Sequence, residues 1–236
     1  MTPGSNDQPS WVFSLARTTV RVRPAVLLNL MGLWVGLAWL TGRRRPEFSR
    51  GRRWFAGLLD MVALATADFG HAFAHTVSAR AAGAPVDEIL ISAGMPRTLY
   101  WNNDVAPQVH RTRAMGGPIY SAIGLLTSAL LRRLAPRGSL AGEVAGWSVI
   151  GHGLILGGSL MPLPIVDGGT LLKWTLVELG YREPEAEALV RKAALAVAAG
   201  AATAGIVAAR RHHWLHSLGS FAAALLSLGS GAGKAE

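Results

Sequence analysis

Apolar residues in this chain are gathered into blocks separated by arginine-rich or Pro/Gly-rich breaks. The first block runs from Ala25 to Leu40 and the second from Trp54 to about Ala79. A third spans Gly117 to Leu131, a fourth Val144 to Ile165, and a fifth, rich in alanine, Ala193 to Ala209. A weaker block, Trp214 to Leu228, either spans or lies in the membrane interface. A bilayer-crossing helix needs roughly 20 mostly apolar residues, so the pattern predicts an all-α integral membrane protein of five to six transmembrane helices. Residues 80–116 are polar and hold three prolines; within them 84–112 predict a small re-entrant or β-containing insertion, with a short strand at 86–92.

The expected organisation is a disordered N-terminal tail over 1–23, a first span and basic loop over 24–53, a membrane core over 54–190 whose residues 170–190 are amphipathic, and C-terminal span and tail over 191–236. No cleavable leader is expected, because the first apolar run begins late and lacks a small-residue cleavage site.

Half of the 236 residues are hydrophobic and 16% are charged, against about 25% charged in soluble domains. The net charge of +9 comes from 20 Arg and only 3 Lys. The arginines flank apolar blocks instead of forming a stripe with interleaved aromatics, so they read as topology signals and not as a nucleic-acid surface. Six of them lie in 43–53 and three precede the first span. That places the 43–53 loop, with Arg132, Arg133 and Arg137, on the cytoplasmic side. A multi-pass protein of the cell membrane is expected, with the lipid bilayer as its surroundings. Cysteine is absent, so any metal must be held by His, Asp or Glu.

The second block carries Asp68, His71 and His75. Ionisable residues at that depth normally face a protein interior and mark function. Histidines four apart project from one helix face about one turn apart, which suits two ligands of one metal; zinc accepts neutral imidazole and leaves room for a carboxylate and a water. Two structural histidines bonded to neighbouring helices are the alternative. Asp167 follows Pro162-Leu163-Pro164-Ile165-Val166 and precedes Gly168-Gly169. A carboxylate there needs a metal, a cation or a hydrogen-bond network, unless it is a turn aspartate at the water interface. His71 lies 17 residues after Trp54 and Asp167 lies 23 after Val144. Both blocks start from the same side, so the two residues approach the same leaflet.

His71-x-x-x-His75 followed by Ser78-Ala79-Arg80-Ala81-Ala82-Gly83-Ala84-Pro85-Val86 resembles the helix and loop of the site-2 protease family of intramembrane zinc metalloproteases. Gly116-Gly117-Pro118-Ile119-Tyr120-Ser121 is similar to that family's Ala/Gly-Gly-Pro element opening its third span. Leu163-Pro164-Ile165-Val166-Asp167-Gly168-Gly169 is similar to its Asp-Gly motif. The three occur in order across roughly residues 54–180. The resemblance implies zinc held by His71, His75 and Asp167, and hydrolysis of peptide bonds in transmembrane helices.

One departure bears on catalysis. The family carries His-Glu-x-x-His, in which the Glu activates water and passes its proton to the leaving amine; this chain has Ala72 there. General acid–base help contributes typically about 10²–10⁴-fold. Asp68 lies one turn earlier, and its side chain tilts toward the helix N-terminus. That direction suits a partner to an imidazole N–H better than a base. His152, in the fourth block, is either an extra ligand or gating residue or, the commoner role, a satisfied core histidine. Asp104 reads as a turn aspartate rather than a group folded over the site. Gly151, Gly153, Gly157 and Gly158 suit close helix packing or a flexible gate. Two functions therefore compete: a zinc-dependent peptidase of membrane helices that lacks its general base, and a non-catalytic pseudoprotease that binds or regulates membrane partners. A metal or proton transporter fits less well, since no repeated pair of broken helices occurs.

Overall fold

A computed structural model of the chain describes residues 10–211 together with 219–220, 223–225 and 227. The first apolar block forms α1 (Ala25–Arg44), which ends on Arg43 and Arg44, cations that suit the negative end of the helix dipole. The chain then turns into α2 (Arg50–Ala81), where Ser49 caps the helix by accepting a bond from Arg52 N at 3.4 Å. Small residues let α1 and α2 touch: a Cβ at Gly57 would lie 2.5 Å from the Ala38 nitrogen. Nearby, the Trp34 ring meets Trp54 edge-on at 5.5 Å and its Nε1 donates to the Trp54 carbonyl at 2.9 Å.

The segment expected to be a disordered tail is ordered over 11–22. It forms β1 (Trp11–Leu15) and β2 (Thr18–Val22), an antiparallel hairpin closed by two residues, Ala16 and Arg17, both with positive φ (48° and 61°). Such a turn is normally announced by Asn-Gly or Asp-Gly, and Ala-Arg gives no such signal. The expected β-containing insertion supplies β3 (Glu88–Ile91) and β4 (Arg97–Leu99). The four strands form one sheet in the order β1-β2-β3-β4, with β2 and β3 parallel and both outer pairs antiparallel.

Val20 and Ile89 have no exposed surface and pack with Ile91, Val86, Val26 of α1 and Ala79 of α2, flanked by Phe69 and Phe73. Burying a side chain of this kind contributes roughly 1.5–3 kcal/mol, which anchors the sheet on the half of α2 that carries the histidines. A forked ion pair, Arg21 Nε and Nη2 to the two Glu88 oxygens at 2.8 and 3.1 Å, ties β2 to β3 and holds the guanidinium pKa above its ordinary value. Arg80 adds a bond to Thr18 Oγ1 at 2.9 Å.

The third helix, α3 (Pro107–Leu134), begins ten residues before its apolar block, with Pro107 in its first turn and Pro118 inside it. The fourth, α4 (Leu140–Ser159), is followed by a loop at 160–166, α5 (Asp167–Glu178) and α6 (Glu183–Arg210). The chain divides into two units: residues up to 104 with 116–156, and residues 105–115 with 157 onward.

Within the first unit, α2, α3 and α4 approach at glycines. A Cβ at Gly116 would lie 2.5 Å from the Ala74 carbonyl oxygen, and one at Gly151 would lie 2.9 Å from Leu64 Cδ2. Gly153 lies more loosely, 3.8 Å from Leu125 Cδ1 by the same measure.

Within the second unit, the His110 and Trp174 rings stack 3.8 Å apart, Arg111 pairs with Glu178, and Lys173 bonds to Glu183 and Glu187 at 2.6 and 2.7 Å. Partial burial alone lowers the Lys173 pKa, but those two bonds outweigh it and hold the ammonium above the ordinary lysine value. Gly157 and Gly158 touch nothing that a Cβ would meet.

Among the described helices, α1, α3, α4 and α6 are long and apolar enough to cross a membrane. The second expected span, on α2, falls outside that set because Arg52, Arg53, Asp60, Asp68 and the histidines lower its hydropathy. The weak sixth block lies mostly outside the described residues.

Candidate metal centre

His71 and His75 stand one turn apart on α2, their ring centroids 5.0 Å apart and their planes at 77°. His75 is buried and His71 half-buried. Gly117 of α3 faces them: a Cβ there would lie 2.3 Å from His71 Nε2 and 2.5 Å from His75 Nε2. The two Nε2 atoms thus converge on one space that opens only because residue 117 lacks a side chain. On the far side of the first ring, His71 Nδ1 lies 2.9 Å from Oγ of Ser121, which is fully buried. With Nδ1–H donating to that hydroxyl, Nε2 keeps its lone pair toward Gly117. Convergent imidazole nitrogens with one tautomer fixed from behind are what a zinc ligand pair requires.

Asp167 opens α5 in the second unit. Val166 before it is extended (φ −123°, ψ 170°), and the carboxylate sits in the first turn, where the helix dipole favours an anion. The glycines after it are set by contact: a Cβ at Gly168 would meet the Leu160 carbonyl oxygen at 2.3 Å, and one at Gly169 the Leu163 carbonyl oxygen at 1.9 Å. Loop 160–166 therefore folds tightly back on the start of α5. The fourth apolar block is interrupted at Ser159 rather than reaching Ile165, as its prolines require.

Ala72, the residue after the first histidine, is buried, and its methyl group cannot take a proton. Asp68 is half-buried on α2, within electrostatic reach of His71. His152 is a buried residue cradled by Gly124, whose Cβ would lie 2.2 Å from its ring, and 5.5 Å from the Tyr120 ring centroid. Its Nδ1 has no hydrogen-bond partner among the described residues. Asp104 is exposed, and its backbone N–H donates to Asn102 Oδ1 in a local turn. Sequence reasoning gave no role to Ser121, nor to Gly117 as the floor beneath the rings. The signal was present in spacing, since residues four apart on α3 share a face.

No protein-family model matches the sequence, and neither does any curated protein. Among solved structures, the chain is similar to a site-2 protease from Methanocaldococcus jannaschii. The two are 15% identical, with a TM-score of 0.56 and coverage of 93% of this chain and 95% of the other. The chain has the site-2 protease fold. It is a mostly helical membrane-protein fold with a small sheet. At this identity the likeness speaks for the fold, and the chemistry must be argued from the residues.

Proposed function

We propose that His71, His75 and Asp167 bind one zinc ion, and that the protein is a weak or inactive relative of intramembrane metallopeptidases that engages transmembrane helices. The observation that carries the reading is the convergence of both Nε2 atoms over Gly117. With no cysteine in the chain, two imidazoles and a carboxylate are a donor set suited to catalytic zinc with one open position. Zinc, when bound, acts as a Lewis acid and lowers the pKa of coordinated water to about 7. Ser121 orients His71, and the Asp68 carboxyl lies near that ring. Ala72 neither accepts nor delivers a proton, so the residue after the first histidine cannot protonate the leaving amine.

The second reading, a pseudoprotease that binds or regulates membrane partners, is favoured by that same buried alanine. The test is zinc content of the full chain in detergent, beside His71→Ala and Asp167→Ala. About one zinc per chain, lost in both variants, supports the ligand set. Substoichiometric metal that is the same in all three overturns it. Cleavage of a panel of transmembrane peptides by the zinc-loaded protein then separates weak peptidase from pseudoprotease.

A further inference from the structure

Helices α2, α3 and α4 leave an open groove at the end where α3 turns into α4. Its volume is about 700 Å³, within the roughly 300–1,000 Å³ of small-molecule sites. Ala141, Val144 and Ala145 line it as one stripe of α4, Leu131 and Leu134 line it from α3, and Ala63 from α2. The only side-chain oxygens in its walls are those of two serines, and these bond to each other, Ser128 Oγ to Ser148 Oγ at 2.7 Å. The walls thus offer a ligand apolar contact and little side-chain hydrogen bonding.

The groove lies where α3 ends in Arg132 and Arg133, with Arg137 in the loop that follows. All three are exposed, and none has an ion pair or hydrogen bond among the described residues. Arg132 leans across to α4, its Nε 3.6 Å from where a Cβ of Gly146 would lie, one residue from the lining Ala145. Arg44 and Arg45, at and just past the end of α1, come close to α4 and to Gly138 but are engaged, over the Trp147 ring and with Glu47. The acidic residues of the lining segments sit elsewhere. Asp60 has no exposed surface, and Glu143 Oε1 lies 3.5 Å from the hydroxyl of buried Thr41 on α1. An apolar groove rimmed by free guanidiniums is complementary to an amphiphile with an apolar tail and an anionic phosphate head. Two turns of a partner helix would fill roughly 850–1,200 Å³, more than the groove holds, whereas an acyl chain is far thinner.

We propose that this groove binds one anionic phospholipid of the surrounding bilayer, with its phosphate at Arg132, Arg133 and Arg137 and one acyl chain between α2, α3 and α4. Neither His71 nor His75 lines it, so the site is separate from the metal centre. The lipid fills the space between three helices and offsets the unpaired positive charge, so it stabilises the folded chain.

The experiment is thermal unfolding of the full chain in an uncharged maltoside detergent with added phosphatidylglycerol, phosphatidylcholine or inorganic phosphate. Phosphatidylglycerol should raise the midpoint by roughly 3–6 °C when it stands about ten-fold above its dissociation constant, and the other two should not. That rise should persist in His71→Ala. It should vanish in Ala63→Phe, which fills the groove, and in the triple variant Arg132→Gln/Arg133→Gln/Arg137→Gln. The three arginines are exposed, so the triple variant keeps the test decisive where Ala63→Phe does not fold. Native mass spectrometry of the same samples should retain one phosphatidylglycerol per chain. Equal midpoints in the two lipids, or a rise that inorganic phosphate reproduces, overturn the site. A rise that survives the arginine changes or a folded Ala63→Phe overturns it as well, because the lipid then binds elsewhere. A homodimer that Ala63→Phe breaks also overturns it, since a second copy then covers the groove.

Discussion

Ser121 Oγ lies 2.9 Å from His71 Nδ1, joining α3 to the ring whose other nitrogen faces Gly117. A hydrogen bond behind a ligating imidazole fixes its tautomer and orientation, and its loss typically weakens metal affinity about 10–100-fold. Ser121→Ala is expected to bring that loss with little change in fold. Competition against a chelator of known zinc affinity measures it; unchanged affinity would show that Ser121 does not orient the ligand.

Gly117→Ala is expected to abolish metal binding. The added methyl would occupy the space onto which both Nε2 atoms point, at 2.3 and 2.5 Å, so the rings must turn away. Gly36→Ala, where a Cβ meets nothing within 4 Å, is the control and should retain full metal content. Equal metal in both variants would mean that the two nitrogens do not share a ligand.

Ala72→Glu is the change expected to raise peptidase activity. A carboxylate one residue after the first ligand can move a proton near the metal, and general acid–base help contributes typically about 10²–10⁴-fold. Wild type, Ala72→Glu and Ala72→Glu/His75→Ala are compared on a panel of transmembrane peptides, and only the second should cleave appreciably. Robust wild-type turnover that disappears in Asp68→Asn would make Asp68 the base instead.

The loops at 43–53 and 132–140 are expected on one side of the membrane and the sheet on the other. Strand β2 enters α1 and β3 leaves α2, yet both lie in one sheet, so α1 and α2 form a hairpin whose open end meets the sheet and whose turn lies at the far end. Ser49 and Ser139 each cap a helix, so exposed Glu47 and Arg137 are the better positions for single cysteines in this cysteine-free chain. Glu47→Cys and Arg137→Cys should label alike in sealed vesicles, and Met95→Cys oppositely. A different pattern would show that α2 or α3 does not cross.

The sequence made the long helices legible wherever apolar residues ran unbroken, and their ends illegible wherever polar turns continued the helix. The first turns of α3, with Gln108, His110, Arg111 and Arg113, read as loop but are helix, held by the Trp174 stack on His110 and the Glu178 pairing with Arg111. The β1–β2 hairpin was missed because its turn is Ala16-Arg17, residues seldom found at positive φ. His71 and His75 were legible because four residues make nearly one helical turn. The contact of Ser121 and Gly117 with the two rings was not, since it depends on which faces of separate helices meet.

The parallel pairing of β2 with β3 also constrains the order in which the protein can be built. Thr19 pairs with Glu88, so the β1–β2 hairpin has no third strand to join until nearly seventy further residues are made. Contacts this distant in sequence form late and slowly. During that interval the β1–β2 hairpin, with Trp11, Val12, Phe13 and Leu15 exposed even in the finished fold, stands as a two-stranded ribbon with the inner edge of β2 open. Ribosome stalling before residue 88 should therefore leave an N-terminus open to proteolysis and chaperone capture, and stalling well past residue 99 should protect it.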